Sequence, residues 1–316
     1  MPPLYTDYFA FLSRHFMGKV QKLPVDAGFT CPNRDGTLSH SGCVFCNNVS
    51  FTPRYCGGLR GVRQQLEAGK RFFARKYPRM SYLAYFQAHT NTYAPLARLE
   101  QVYREALDVP GVEGLVVATR PDCVPDVLLD ALPRWAGGRF VMLELGVEST
   151  DDATLRRMNR GHSFACVADA VRRAAARGIH VGVHLILGLP GEPQELVPVH
   201  AARLSALPVE VVKLHQLQVV RGTELARRYV ARPDAVRLFS PESYAQAVAD
   251  FLERLRPDIA LDRFVSQTPP PWLIAPRWGL RGQEFQAVLQ RVMKERRTWQ
   301  GRLYAPGEMR IMTETT

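Results

Sequence analysis

Six short apolar runs, interleaved with stretches of helical periodicity, constrain the fold of this 316-residue chain more than any other feature. The runs cover residues 22–26, 81–87, 114–118, 140–146, 181–187 and 209–217, and helical patterns occupy 95–108, 124–132, 164–177 and 196–207. Strands that alternate with helices imply a parallel sheet, because parallel neighbours need crossover connections. The unit is therefore an α/β fold, either doubly wound or a complete or partial barrel. The pattern fades after Arg237, where Ser240-Pro241-Glu242 marks a helix start. Thr268-Pro269-Pro270-Pro271-Trp272 reads as extended chain, since each proline fixes φ and restrains its predecessor. The expected organisation is a barrel-sized unit over 1–240 with a C-terminal extension over 241–316 packed on it, in preference to a second independent domain.

At 46% hydrophobic residues the chain can build a sizeable core, which excludes disordered and collagen-like classes. No apolar run reaches the roughly 18–20 residues that span a bilayer, so no membrane partner is expected. The opening Met1-Pro2-Pro3-Leu4-Tyr5-Thr6-Asp7 lacks a charged region followed by an apolar stretch, and a soluble, cytoplasmic protein is expected. The net charge is +11, and residues 1–80 alone hold 12 Lys/Arg against 4 Asp/Glu. Within that segment the stretch from Arg60 to Arg79 reads as a helix. Val62, Leu66, Gly69, Phe73 and Tyr77 fall on one stripe, with Arg63, Lys70, Arg71 and Arg75 mostly opposite. Such a basic face is either simply solvated or a contact for a polyanion.

Six cysteines without a secretory signal argue against a disulfide framework. Three of them, Cys31, Cys43 and Cys46, stand close together in a loop rich in turn formers, among them Pro32, Asn33, Asp35, Gly36 and Gly42. Two chemistries fit this spacing. A structural zinc needs four ligands, and Cys56 or His40 could be the fourth. An iron–sulfur cluster on three cysteines instead leaves one iron open to a small molecule. Cys56, Cys123 and Cys166 read as small buried hydrophobes.

With Phe45 between the last two cysteines, the loop resembles that of the radical S-adenosylmethionine superfamily. Leu143-Glu144-Leu145-Gly146-Val147-Glu148-Ser149, Asn159-Arg160-Gly161-His162 and Thr119-Arg120-Pro121-Asp122 resemble the radical domain of the Elongator catalytic subunit. His184-Leu185-Ile186-Leu187-Gly188-Leu189-Pro190-Gly191-Glu192 is similar to the superfamily's fifth-strand motif. Together with Cys31-Pro32-Asn33-Arg34-Asp35-Gly36 and Lys213-Leu214-His215, the chain resembles a bacterial branch of stand-alone radical enzymes, the YhcC/YtqA type. The resemblance implies a partial (β/α)6 TIM-like barrel with a C-terminal extension. It also implies a 4Fe-4S cluster on Cys31, Cys43 and Cys46, and S-adenosylmethionine bound at the C-terminal strand ends. An external donor would supply the electron that cleaves the cofactor, and the deoxyadenosyl radical formed would abstract hydrogen from a substrate.

The resemblance also suggests how the cofactor is held. Phe45 would face the adenine, and Gln87 the methionine amino group unless it merely caps its strand. Glu144 would bind ribose, or else pair with Arg160 as a structural ion pair. Arg160 would grip the cofactor carboxylate, since a guanidinium does so bidentately. Ile186 or Leu187, whichever faces inward, would pack on adenine. Two positions depart from the Elongator pattern: Ala118 replaces a glutamate, and Glu148 replaces a glutamine whose hydrogen bonding is thereby in doubt. The chain ends about 75 residues beyond the barrel unit, so no acetyltransferase-like domain is expected. The substrate expected is tRNA, at the C5 side chain of wobble uridine, with the helix from Arg60 to Arg79 as its docking face beside the barrel mouth. The alternative is a small acidic metabolite, as in a coproporphyrinogen-oxidase-like enzyme.

Overall fold

A computed structural model describes residues 3–47, 54–56, 61–74 and 80–306. Seven strands, β1 (Val20–Val25), β2 (Ser81–Phe86), β3 (Val112–Thr119), β4 (Phe140–Glu148), β5 (His180–Leu187), β6 (Val211–Gln216) and β8 (Ala260–Arg263), form one parallel sheet. Their spatial order is their order along the chain. A doubly wound sheet reverses order at a switch point, and this one does not, so right-handed crossovers leave the helices on one face and the sheet curls around the other. The result is a partial TIM-like barrel.

The crossovers are α2 (Val62–Ala74), α3 (Leu96–Leu107), α4 (Asp126–Ala136), α5 (Asp152–Arg157) with α6 (Phe164–Ala175), α7 (Leu196–Ser205) and, before β8, α9 (Pro241–Arg254). Alternation along each strand sorts the side chains. In β2, Ala84 and Phe86 join the outer core under the helices, whereas Leu83 and Tyr85 face the barrel interior. The floor of that interior is apolar: Leu83, Val116, Phe140, Met142, Val211 and Ala260 pack on Phe11 and Leu12 of the short helix α1 (Tyr8–Leu12).

The six expected strands are present within a few residues of their expected bounds. The seventh, β8, comes from the stretch read as extension. It holds four residues, two of them charged, and so carries no apolar run. After β6, the ribbon of β7 (Val219–Val220) and β9 (Leu273–Ala275) and the helix α8 (Glu224–Ala231) cover one side of the mouth. Helix α10 (Gly282–Glu295) packs on α9 through Phe285, which lies 5.3 Å from Tyr244 ring to ring.

In α2, Val62, Leu66 and Gly69 are buried as expected, and so is Gln65, whose amide is bonded to both backbone groups of Asp26. Arg60, Arg75, Tyr77 and Arg79 lie outside the described residues. Arg63 and Arg71 are exposed. Lys70, however, donates to Glu67 and to the carbonyl of Pro110, just before β3 and therefore at the barrel end opposite the mouth. The helix thus starts near the top of β1 and runs away from the mouth, because it is the crossover to the bottom of β2.

Candidate active site

Above the apolar floor the barrel interior holds a layer of charge. Glu144 stands opposite Ala118 and Gly182, a methyl group and no side chain at all, which leaves room around it. Its oxygens take Lys22 at 2.9 Å, Lys213 at 2.6 Å, the Tyr85 hydroxyl at 2.7 Å and His184 Nε2 at 2.8 Å. Asp262 completes the layer, 2.6 Å from Lys22 and 3.1 Å from Lys213. Burial opposes the ionised form of Glu144, but the two ammonium groups beside it hold its carboxyl well below the usual range. Burial draws Lys213 down to about 8 against the pull of Glu144, while Asp262 and Glu144 keep Lys22 raised despite its own burial. The alternative for Glu144, a structural ion pair with Arg160, is not formed: its partners are Lys22, Lys213 and His184. Both Glu144 oxygens face the interior, as ribose binding would require, yet both are already engaged by Lys22, Lys213, Tyr85 and His184.

Over this layer opens a cleft lined by Cys31, Cys43, Phe45, Cys46, Gln87, Ala118, Glu144, Glu148, Arg160 and Ile186. The structure therefore brings together every expected site residue but one. Leu187 is buried on the outer face of β5, where strand alternation turns it away from Ile186.

The cysteine loop is clamped from two sides. Asn33 donates to Asn159 O at 2.5 Å and Asn159 to Gly42 O at 2.7 Å, while Val44 N bonds Met158 O at 3.1 Å. From the other side Leu225 N bonds Val44 O at 2.9 Å, and Asn47 donates to Arg221 O at 2.7 Å. Burial, with the charge of Cys43 adding, pushes the Cys46 thiol up to about 11, so Cys46 is not a free thiolate nucleophile. A metal centre that displaces its proton suits it better. The three sulfurs do not converge within 4.8 Å of one another; among the described residues only His15, His180 and Glu210, beside Phe140 on the barrel floor, make such a three-ligand group. Sulfurs about 2.3 Å from one tetrahedral zinc would be closer than that, and a cluster of several irons accepts the wider spread.

Arg160 joins this loop to the cleft. Its Nη1 lies 3.2 Å from Cys43 Sγ, its Nη2 donates to Gly146 O at 2.6 Å, and Glu148 is 3.8 Å away. A Cβ on Gly146 would stand 2.8 Å from Glu148 Oε1 and 3.1 Å from Arg160 Nη2, so glycine there leaves the guanidinium its place. Glu148 sits at a register shift of β4 with φ +66°, the local re-aiming that a bulge provides, and burial raises its carboxyl pKa despite Arg160. Arg160 Nε and Arg120 Nη1 are buried without partners. Orphaned guanidinium donors beside three cysteines fit a cluster whose small-molecule ligand carries a carboxylate.

Reading from sequence missed Lys22, Asp262, Tyr85 and Arg263, and gave His184, Lys213 and His215 no role. A signal was present: a charged residue at an inward position of a buried strand is rare enough to need a partner.

This fold, with three loop cysteines at the mouth of its barrel, defines an iron–sulfur enzyme of the radical type. The Radical SAM superfamily model matches residues 31–204, and the Radical_SAM C-terminal domain model matches 209–295. The chain belongs to the radical SAM superfamily, whose cofactors are a 4Fe-4S cluster and S-adenosylmethionine. Protein YhcC of Escherichia coli (strain K12) is 39% identical over 269 residues, 84% of this chain and 85% of its own length. Elongator complex protein 3 of Schizosaccharomyces pombe is 28% identical over 166 residues, 50% of this chain but 29% of that protein. A solved Elp3 of the archaeon Methanocaldococcus infernus shares the fold with a TM-score of 0.67 at 15% identity, covering 90% of this chain and 65% of that one.

Proposed function

We propose that this radical SAM enzyme modifies tRNA at the C5 side chain of wobble uridine, drawing its electron from an external donor. The observation that carries the substrate is the similarity of half the chain to Elongator complex protein 3. The bound cluster supplies the electron that cleaves S-adenosylmethionine, and the rest falls to the protein. Cys31, Cys43 and Cys46 hold the cluster. Arg160, already bonded to Cys43 and Gly146, presents its free Nε edge to the cofactor carboxylate and fixes it relative to the loop. Gln87 at the top of β2 offers an acceptor to the amino group, which Ala118 cannot. Ile186 and Phe45 give apolar contact to the adenine. Glu148 offers a hydrogen bond at the cofactor's edge, and Glu144 supports the pocket from below. The α8 segment, tied to Val44, screens this side of the cleft from water.

Nucleoside mass spectrometry of tRNA from a strain lacking the gene tests the reading. Loss of one C5-modified uridine is expected. Unaltered tRNA with an accumulating acidic metabolite would replace tRNA by the small-molecule substrate.

A further inference from the structure

The pairing of β6 with β8 shifts register within two residues: Val212 pairs with Leu261, but Lys213 pairs with Arg263, skipping Asp262. In a regular strand Asp262 and Arg263 would point to opposite faces. The bulge instead turns both inward, a known way of re-aiming a side chain beside an active site. Asp262 goes down into the charge layer with Lys22 and Lys213. Arg263 goes up and lines the cleft.

Of the arginines and lysines around the cleft, Arg263 alone among the described residues has neither an ion pair nor a side-chain hydrogen bond, Arg34 being held by the Cys46 carbonyl at 2.6 Å. Arg120 has Asp122 at 2.8 Å, Arg160 has Glu148 and the Cys43 sulfur, and the two lysines share Glu144 and Asp262. Among the described residues Arg263 has no ion pair, and its Nε is buried without an acceptor. Beside it His215 Nε2 is also buried and unpartnered. Its ring is held through Nδ1 by the Ser266 hydroxyl, and the Ser266 backbone is fixed in turn by Gln216. Among the described residues no hydrogen bond or ion pair links Arg263 to the cysteine loop, whereas Arg34 and Arg160 both bond within it. A guanidinium and a ring nitrogen, both pre-positioned and both lacking a partner, make a receptor for an oxyanion.

We propose that Arg263, with His215, forms an anion site for the substrate on the β6–β8 wall of the cleft, separate from the carboxylate site of the cofactor. The ligand is a phosphate or a carboxylate. The site stands on the cleft and not on the tRNA reading, which predicts the phosphate.

Isothermal titration of the reconstituted full-length enzyme, saturated with S-adenosylmethionine, would test this with inorganic phosphate, uridine 5′-monophosphate and succinate as probes. Wild-type enzyme should bind phosphate and the nucleotide in mutual competition. Arg263→Gln should weaken both by about tenfold or more, as loss of a charged hydrogen bond does, and Arg263→Lys by less. Affinity for S-adenosylmethionine should stay within about twofold in both variants, which also shows that they fold. Arg263-dependent binding of succinate alone would support the anion site while removing its support for a nucleotide. Loss of S-adenosylmethionine affinity with anion binding unchanged would assign Arg263 to the cofactor and overturn the proposal. Absence of anion binding in the wild type, or its persistence in Arg263→Gln, would overturn it as well.

Discussion

Lys22 in β1 and Asp262 in β8 lie 2.6 Å apart, joining the two edges of a sheet that has no hydrogen-bonded ladder between them among the described residues. The ion pair is mostly buried, with Glu144 and Lys213 around it. Removing one partner of such a pair leaves the other desolvated and uncompensated, at a cost of about 3–5 kcal/mol. Asp262→Ala should therefore lower unfolding stability by about that amount in urea titration. The double change Lys22→Met with Asp262→Leu should cost less, since it removes both charges together. Equal losses would show that apolar packing, not charge, closes this seam.

For the metal centre, Ala in place of Cys31, Cys43 or Cys46 should abolish both iron uptake and cofactor cleavage after anaerobic reconstitution, where the wild type takes up about four irons. Cys56→Ala should leave both largely intact, because that thiol lies against Pro24 O and does not line the cleft. Zinc in place of iron in anaerobically isolated protein would contradict this assignment.

The strands on which these groups stand were legible because their apolar runs are long: all six appear where hydropathy put them. β8 was not, since Asp262 and Arg263 fill half of it with charge. The cysteine loop was legible from its spacing and turn residues, and Arg160 from its motif. The partners of Glu144 were not legible. Lys22, Lys213 and Asp262 are separated by up to 240 residues and meet only because the barrel curls. Local pattern cannot carry that information, and the alternative of a Glu144–Arg160 ion pair fails for the same reason.

Arg160 bridges the cysteine loop and the cofactor side of the cleft, so its replacement should affect both. Arg160→Ala should weaken S-adenosylmethionine binding by about 1.5–3 kcal/mol, as expected for a lost charged hydrogen bond. It should also shift the cluster's reduction potential, because Nη1 stands 3.2 Å from Cys43 Sγ. Titration calorimetry and a redox titration on the same preparation would read the two effects. An unchanged affinity with a shifted potential would confine Arg160 to the loop.

Acid should destabilise the chain in two stages. Burial lowers His184 to about 4, with Lys213 adding, and lowers His162 to about 3, with Arg160 adding. Both are neutral in the folded state where an unfolded histidine begins to take up a proton near 6.5. The unfolded chain then binds more protons, so stability is full above about 6.5 and falls as pH drops towards those folded values. Asp262, lowered to about 2 mainly by Lys22 against its burial, adds a second loss between about 4 and 2. Melting of the cluster-free chain at successive pH values should show the first slope reduced in His184→Gln and the second in Asp262→Asn. A flat profile from pH 7 to 4 would mean that these histidines are not buried neutral.

If the substrate is tRNA, its docking should involve the exposed arginines of α8, the helix tied to the cysteine loop. Arg227 and Arg228 project from α8, 75% and 50% exposed, and share Glu224 as their only ion-pair partner among the described residues. Leu225 in the same helix is bonded to the cysteine loop, which ties these two guanidinium groups to that side of the mouth. In α2, by contrast, Arg71 follows Lys70 at the far end of the barrel, and only Arg63 stands near the helix start. Each phosphate neutralised on a duplex adds about 0.9 to the slope of log affinity against log salt. Arg227→Gln with Arg228→Gln should therefore flatten the slope of tRNA binding by about 1.8 units. Arg63→Gln with Arg71→Gln should flatten it by about 0.9 at most. Uncoupled cleavage of S-adenosylmethionine should be the same in both variants, since neither pair lines the cleft. A larger effect of the α2 pair would move the docking face to that helix. Wild-type salt dependence in both would exclude α8 and the described part of α2 as the docking surface.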